Sequence, residues 1–316
     1  MRWRFEDVTA FVEVVETGSI TTAARRLNLS KSVVSKRVAD LEAALGTTLF
    51  RRTTRSVVPT DHGLLLHERM RGLLRQLDQT VDELAEATGR LRGRLRVAAP
   101  MSFGSLHLAP VLIAFAARHP EIELVLDFDD RMVDLQRDGY DLAVRIGRLP
   151  PSSLIARRLC SSRRVVCCSP AYAARHGLPE SVEALAGHCC IEYAHAPGSR
   201  LWQFEPGEPG GEPRSVIVRG RISVNNGETM CAAVEAGLGL AVLPLFIAAD
   251  GLRRGSLVPV LEEIPPLADA VHAVWPPSRH LPPRVRALIA HLQQGFAGEP
   301  PWERDLAGPA LQPARG

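Results

Sequence analysis

The chain has 316 residues, is 46% hydrophobic and 5% aromatic, and carries a formal net charge of +3. Such a length accommodates two or three compact units with aliphatic cores. So small a net charge excludes nucleic-acid binding by bulk electrostatics, and any such attraction must come from a local patch.

The basic excess is local. Residues 1–63 hold ten Lys or Arg against seven Asp or Glu, and the remainder is balanced. The two lysines, Lys31 and Lys36, fall in one short stretch. No apolar leader follows Met1 and no segment is expected to reach bilayer length, so the expected compartment is the cytoplasm, with no membrane partner. The six cysteines (160, 167, 168, 189, 190 and 231) are expected as reduced thiols and lack the paired spacing of a zinc site. No metal or cofactor is expected.

Val8, Phe11, Val12 and Val15 recur at helical spacing. Gly18-Ser19 breaks that helix, and Ser19 caps a short one over Thr21 to Leu27, whose Ala23 and Ala24 permit close packing. Asn28-Leu29-Ser30 forms a turn, and Ser30 caps a helix from Lys31 to about Leu45 that Gly46 stops. Val34, Val38, Leu41 and Leu45 make its buried stripe, leaving Lys31, Ser32, Ser35, Lys36 and Arg37 on the open face. This is the helix-turn-helix plan, in which the start of the second helix enters the major groove. Lys and Ser suit base edges there and Arg suits phosphates; the competing reading is a solvated helix face. Thr47 to Phe50 reads as a strand, Arg51 to Arg55 as a charged tip and Ser56 to Val58 as the returning strand, ended by Pro59. Arg51, Arg52 and Arg55 are candidate backbone or minor-groove contacts, and Thr22 joins the candidate DNA contacts.

Phe11, Glu16-Thr17-Gly18-Ser19, Ala23-Ala24, Leu27, Ser30, Ser35, Leu41-Glu42, Leu45-Gly46, Leu49-Phe50-Arg51-Arg52, Thr60 and Gly63 together resemble the winged helix-turn-helix of the LysR-type transcriptional regulators. The resemblance puts Lys31, Ser32, Ser35 and Lys36 at base-reading positions. Many members have Gln-Pro where this chain has Lys31-Ser32, so the DNA sequence read stays open.

Thr60 caps the next helix, and Leu66, Met70, Leu73, Leu77, Thr80, Leu84 and Ala87 form a heptad seam. The alternatives are a dimerising helix, which the family resemblance also implies, and a helix packed on its own domain. A dimer reads an interrupted palindrome, and the family adds the tetramer as a possible assembly and RNA polymerase as a possible partner. Thr88 to Arg94 is the expected hinge.

From Arg94 strands and helices alternate: Leu95–Ala99, Leu106–Ala117, Ile122–Phe128, Met132–Arg137 and Leu142–Ile146. That order predicts a parallel sheet. A second lobe opens near Arg164 with Val165–Cys168, a helix at Pro170, strands at Val216–Val218 and Leu240–Leu243, and a helix at Thr229–Ala236. Val271–Trp275 and Pro283–Gln294 return to the first lobe. The expected fold is therefore α/β: an N-terminal winged helix-turn-helix, a long linker helix, and a two-lobed effector domain that resembles periplasmic solute-binding proteins. The expected domains are 1–63, 64–93 and 94–296, with a disordered tail at 297–316.

A cleft between lobes is a ligand site. Ser102 is the leading effector residue by family position, with Phe103, Asp130, Arg145 and Asn226 beside it, and a small organic acid is the effector class considered. In the competing reading Ser102 and Ser105 cap a helix, and Arg145 pairs with Asp141. The adjacent pairs Cys167-Cys168 and Cys189-Cys190 raise a redox sensor as an alternative, although neighbours on a strand point to opposite faces. His188-Cys189-Cys190 with His195 matches no standard metal spacing. No nucleotide-binding or nucleophile-elbow motif occurs, so an enzyme is not expected. A DNA-binding regulator that ignores small molecules is the runner-up.

Overall fold

The structure is a computed structural model, and it describes residues 3–52, 57–86, 91–194, 198, 200–206, 210–278, 281–304 and 306. The chain divides into two compact units, Met1–Leu84 and Ala85–Gly316.

The first unit opens with helices Phe5–Thr17 (α1), Ile20–Arg26 (α2) and Lys31–Leu45 (α3). Both short-range caps form as the sequence implies: Ser19 Oγ accepts from Thr22 N and Ser30 Oγ accepts from Val33 N, each at 3.3 Å. Asn28 supplies the left-handed residue of the turn, at φ 57°. Val34, Val38 and Leu41 are buried, but Leu45 is exposed, so the buried stripe of α3 ends one turn early. Phe50–Arg52 (β1) and Val57–Pro59 (β2) pair antiparallel as the wing. The first wing strand starts at Phe50, not Thr47. Glu42 Oε1 accepts from Leu49 N at 2.7 Å and Phe50 N at 3.1 Å, tying the preceding segment to α3 before it can join the ladder. Arg51 and Arg52 therefore lie in the strand; residues 53–56, including Arg55, fall outside the described residues.

Asp61–Glu86 (α4) is a 26-residue helix, about 39 Å long at 1.5 Å per residue. Thr60 Oγ1 accepts from Gly63 N at 3.1 Å and donates to Thr48 O at 2.8 Å, so one hydroxyl caps the helix and ties it to the wing. A Cβ at Gly63 would collide with the Leu49 carbonyl oxygen, and only glycine allows this approach. The expected heptad seam divides: Leu66 and Met70 pack with Leu74 on the winged-helix core, while Leu73 and Leu77 are 55% and 47% exposed; Leu64 and Leu65, outside the seam, are exposed as well. The seam therefore divides along its length: its first part packs on the unit's own core, its later described leucines are exposed, and the side chains of Thr80 and Leu84 lie outside the described residues. Ala87 lies outside the described residues.

The second unit begins with Gly93–Ala99 (β3), which already occupies the end of the expected hinge. A continuous helical run follows: Met101–Phe103 (α5), a π-helical turn at Gly104–Leu108, and Ala109–Arg118 (α6). Contrary to the expectation that no segment reaches bilayer length, these 18 residues are long and apolar enough to do so. Their Phe103, Leu108, Leu112 and Phe115 are instead buried in the core of the unit. Next come Ile122–Phe128 (β4), Leu135–Asp138 (α7), Leu142–Ile146 (β5) and Ile155–Ser162 (β6). Helix α7 starts three residues later than Met132 because Asp134 Oδ1 accepts from Gln136 N and Arg137 N, both at 3.1 Å, and sets the cap.

The second lobe comprises Arg164–Cys168 (β7), Pro170–His176 (α8), Cys189–Tyr193 (β8), Leu201–Phe204 (β9), Arg214–Ile217 (β10), Arg219–Val224 (β11), Gly227–Glu235 (α9), Ala241–Pro244 (β12), Leu245–Arg254 (α10) and Val258–Val260 (β13). Asp269–Trp275 (β14) and Pro283–Gly295 (α11) return to the first lobe, as expected. Its sheet has the order β4-β3-β5-β14-β6. Strand β3 runs parallel to β4 and β5, but β14 is antiparallel to β5 and β6, so the sheet is mixed rather than parallel. The second lobe holds the antiparallel order β12-β7-β13 and a parallel β8/β11 pair.

The tail departs from the expectation of disorder over 297–316. Pro301–Glu303 forms a 3-10 turn with Trp302 and Glu303 buried, because a large indole there meets an apolar surface. Residues 305 and 307–316 lie outside the described residues.

Candidate DNA-reading face and ligand cleft

On α3 the buried residues fix the opposite face. Lys31, Ser32 and Lys36 are exposed, and Ser35 and Arg37 are half-buried beside them. No acidic residue stands in the first turn, so no carboxylate of that turn offsets the positive end of the helix dipole beside Lys31. Ser32 Oγ lies 2.9 Å from Ser30 Oγ, which orients both hydroxyls at the helix start. Thr22 is half-buried in α2, its amide held by Ser19. Arg51 is exposed on the wing. The nearby Arg26 is committed elsewhere, in an ion pair with Glu13 at 2.9 Å. Glu42 is the residue that the sequence reading quoted without a role: it joins the recognition helix to the wing.

In the second unit two predicted residues meet. Ser102, buried at the start of α5, accepts a hydrogen bond from Asn226 Nδ2 at 3.4 Å. Asn226 caps α9 through Oδ1, which accepts from Thr229 N at 2.9 Å. Ser102 therefore links the lobes, and it makes no side-chain cap of its own helix. Gly227 keeps the approach close, since a Cβ there would run into Ile247 and lie 3.6 Å from Ser102 Oγ. Asp130 forms a second bridge: its Oδ1 accepts from Met101 N at 2.8 Å, and Tyr193 of the second lobe hydrogen-bonds the same side chain. Burial and that bond raise the Tyr193 phenol's pKa, so it stays protonated. Tyr193 was missed in the sequence because a lone Tyr at a strand end carries no pattern.

Phe103 and Arg145 do not join this group. Phe103 is fully buried, its ring 5.2 Å from Phe246 and 5.6 Å from Phe296, and packs the core instead of facing a ligand. Arg145 donates through Nη2 to Val133 O at 3.1 Å. It lines a separate open cavity of about 460 Å³ with Met132, Val133, Asp134, Leu135, Gln136, Ser153 and Leu154. Burial lowers the guanidinium pKa, partly offset by Asp134. Asp141 Oδ2 accepts from Arg96 N at 2.8 Å.

Cys168, Cys190 and Cys231 lack the lowered ionisation of reactive thiols. Cys167 and Cys168 are fully buried on β7, and burial pushes Cys168 up to about 11, Cys190 to about 12 and Cys231 to about 11. Reactive cysteines require the opposite shift. The His188 ring is bonded to Tyr172 Oη at 3.2 Å through Nδ1, and His195 lies outside the described residues.

Comparison with known proteins matches both units. Residues 5–64 match the family described as bacterial regulatory helix-turn-helix protein, lysR family, and residues 88–297 match the LysR substrate binding domain. An uncharacterized HTH-type transcriptional regulator of Haemophilus influenzae is 34% identical over 89% of this chain and 96% of its own length. The HTH-type transcriptional regulator PtxR of Pseudomonas aeruginosa is 36% identical over 92% of each chain. The solved structure of CrgA, a LysR-type transcriptional regulator from Neisseria meningitidis, superposes with a TM-score of 0.58 at 30% identity, covering 93% of this chain and 99% of that one. These are regulators and not enzymes. With its DNA-binding and substrate-binding units both matched, this chain belongs to the LysR-type family of DNA-binding transcriptional regulators.

Proposed function

We propose that the protein reads an interrupted palindrome in double-stranded DNA through the start of α3. Lys31, Ser32, Ser35 and Lys36 contact base edges, while Thr22, Arg37, Arg51, Arg52 and Arg55 hold the backbone. The observation that carries this reading is the exposed polar shoulder of α3 at Lys31, Ser32 and Lys36, with no carboxylate in the helix's first turn. Self-association as a dimer or tetramer brings two such helices to one duplex, and the exposed Leu64, Leu65, Leu73 and Leu77 of α4 support it. The setting is the cytoplasm, and RNA polymerase is the partner through which a DNA-bound dimer acts.

The effector site in this proposal is the bridge of Ser102, Asn226, Asp130 and Tyr193 between the lobes. A small organic acid is its ligand class, and it competes with Asp130 for the Met101 amide. Binding that differs between two lobe arrangements then shifts the DNA-bound assembly. The test is fluorescence anisotropy on the DNA flanking the protein's own gene, comparing the native chain with Lys31→Ala, Ser35→Ala and Lys36→Ala combined. The proposal expects a loss of specific affinity with the fold retained. Unchanged affinity would overturn the assignment of this face.

A further inference from the structure

The matched substrate-binding region ends at residue 297, yet the described chain continues into a folded contact. After α11 the chain turns back, and Trp302 enters an aromatic cluster at 4% exposure. Its ring centroid lies 4.5 Å from His107 and 5.7 Å from Phe103, both in the first lobe, and 6.1 Å from Phe246 in α10 of the second. His107 adds its own link across the lobes, with Nε2 2.9 Å from Phe246 O. An indole buried against rings from two lobes rewards one relative placement and loses contact in others.

The polar contacts repeat this geometry. Glu303 is 3% exposed, and its Oε2 accepts from Arg163 Nε at 2.7 Å. Arg163 stands alone between β6 and β7, at the first crossing from one lobe to the other. A buried carboxylate needs its partner, so this pair pins the turn to the crossing. Arg253 of α10 donates from Nη2 to Trp302 O and Arg304 O, both at 3.0 Å. One short segment is thus held by the first lobe, the second lobe and the strand that joins them.

We propose that residues 300–304 are a brace that fixes the angle between the lobes and so sets how readily the ligand cleft changes shape. Its regulatory meaning rests on reading the cleft as a sensor, but its mechanical test needs no ligand. The experiment is hydrogen–deuterium exchange on the full-length protein, native against Trp302→Ala and Glu303→Gln. The expected result is exchange about tenfold faster in α10 and in residues 101–108, from local opening, with β3, β7 and α1 unchanged. Glu303→Gln moves the same amides by less, and it carries the test if Trp302→Ala fails to fold. Unchanged exchange in α10, or equal acceleration through β3 and β7, overturns the brace and leaves ordinary packing. Failure to find an effector leaves these outcomes untouched and bears only on the sensor.

Discussion

The two units place their functional groups in opposite ways. The proposed DNA-reading face draws on neighbours, residues 31 to 37 of one helix, and its geometry is fixed by the buried Val34, Val38 and Leu41 behind it. The proposed ligand site draws Ser102, Asp130, Tyr193 and Asn226 from elements far apart in the chain and joins them by single hydrogen bonds. A surface carried by one element survives small movements within the fold, whereas a site assembled across lobes changes whenever they move. The first arrangement suits a fixed reader and the second a responsive sensor.

The largest expected effect breaks the reader through its core. Phe11 is fully buried and its ring stands 5.4 Å from that of Phe50. Phe11→Ala costs about 3–5 kcal/mol, seen as a lowered denaturation midpoint of the first unit and lost DNA binding. Next is Glu42→Ala, which leaves Leu49 N and Phe50 N without their acceptor. It costs about 1–3 kcal/mol in chemical denaturation and weakens binding with α3 intact. A finding that it leaves affinity unchanged would uncouple the wing from reading. Removing Lys31 and Lys36 together, if both neutralise phosphate, lowers the slope of log affinity against log salt by about 2. If they read bases alone, specificity falls while the slope holds.

In the sensor, Ser102→Ala deletes one 3.4 Å bond and is expected to alter stability by about 1 kcal/mol or less. Asn226→Ala also removes the α9 cap, costing about 1 kcal/mol more. A ligand that binds between the lobes weakens with both, measured by titration calorimetry; one that weakens with neither binds elsewhere. The effect confined to extreme conditions is alkaline. Folded thiols at Cys168, Cys190 and Cys231 ionise only near 11 to 12, against an ordinary value of 9.0. Their raised values favour the folded state fully below pH 9, and that contribution is lost as the pH climbs through the folded values. Melting temperatures should therefore fall from pH 9 upward and stay flat with respect to these groups near neutrality.

The same contrast explains what the sequence disclosed. Caps, turns and helical spacing are local, so Ser19, Ser30, Asn28 and the open face of α3 were readable directly. The late start of β1 was hidden because it depends on Glu42 reaching across seven residues. Ser102 and Asn226 were chosen separately, but nothing local announced their contact over 124 positions, nor the part of Tyr193. Phe103 packs in the core because the side of a helix that meets a second lobe is set by distant contacts, which local sequence does not carry. The turn at Pro301–Glu303 is hidden for a related reason: the tail is rich in Pro and Gly, and Trp302 and Glu303 find their partners far away in the chain, at His107, Phe246 and Arg163.

Glu42 and Thr60 tie the recognition helix, the wing and the start of α4 into a single stiff part. If that part grips DNA as proposed, the duplex does more of the conforming than the protein. Among operators with identical base contacts, those containing easily kinked pyrimidine–purine steps will be gripped more tightly than those built on stiff A-tracts.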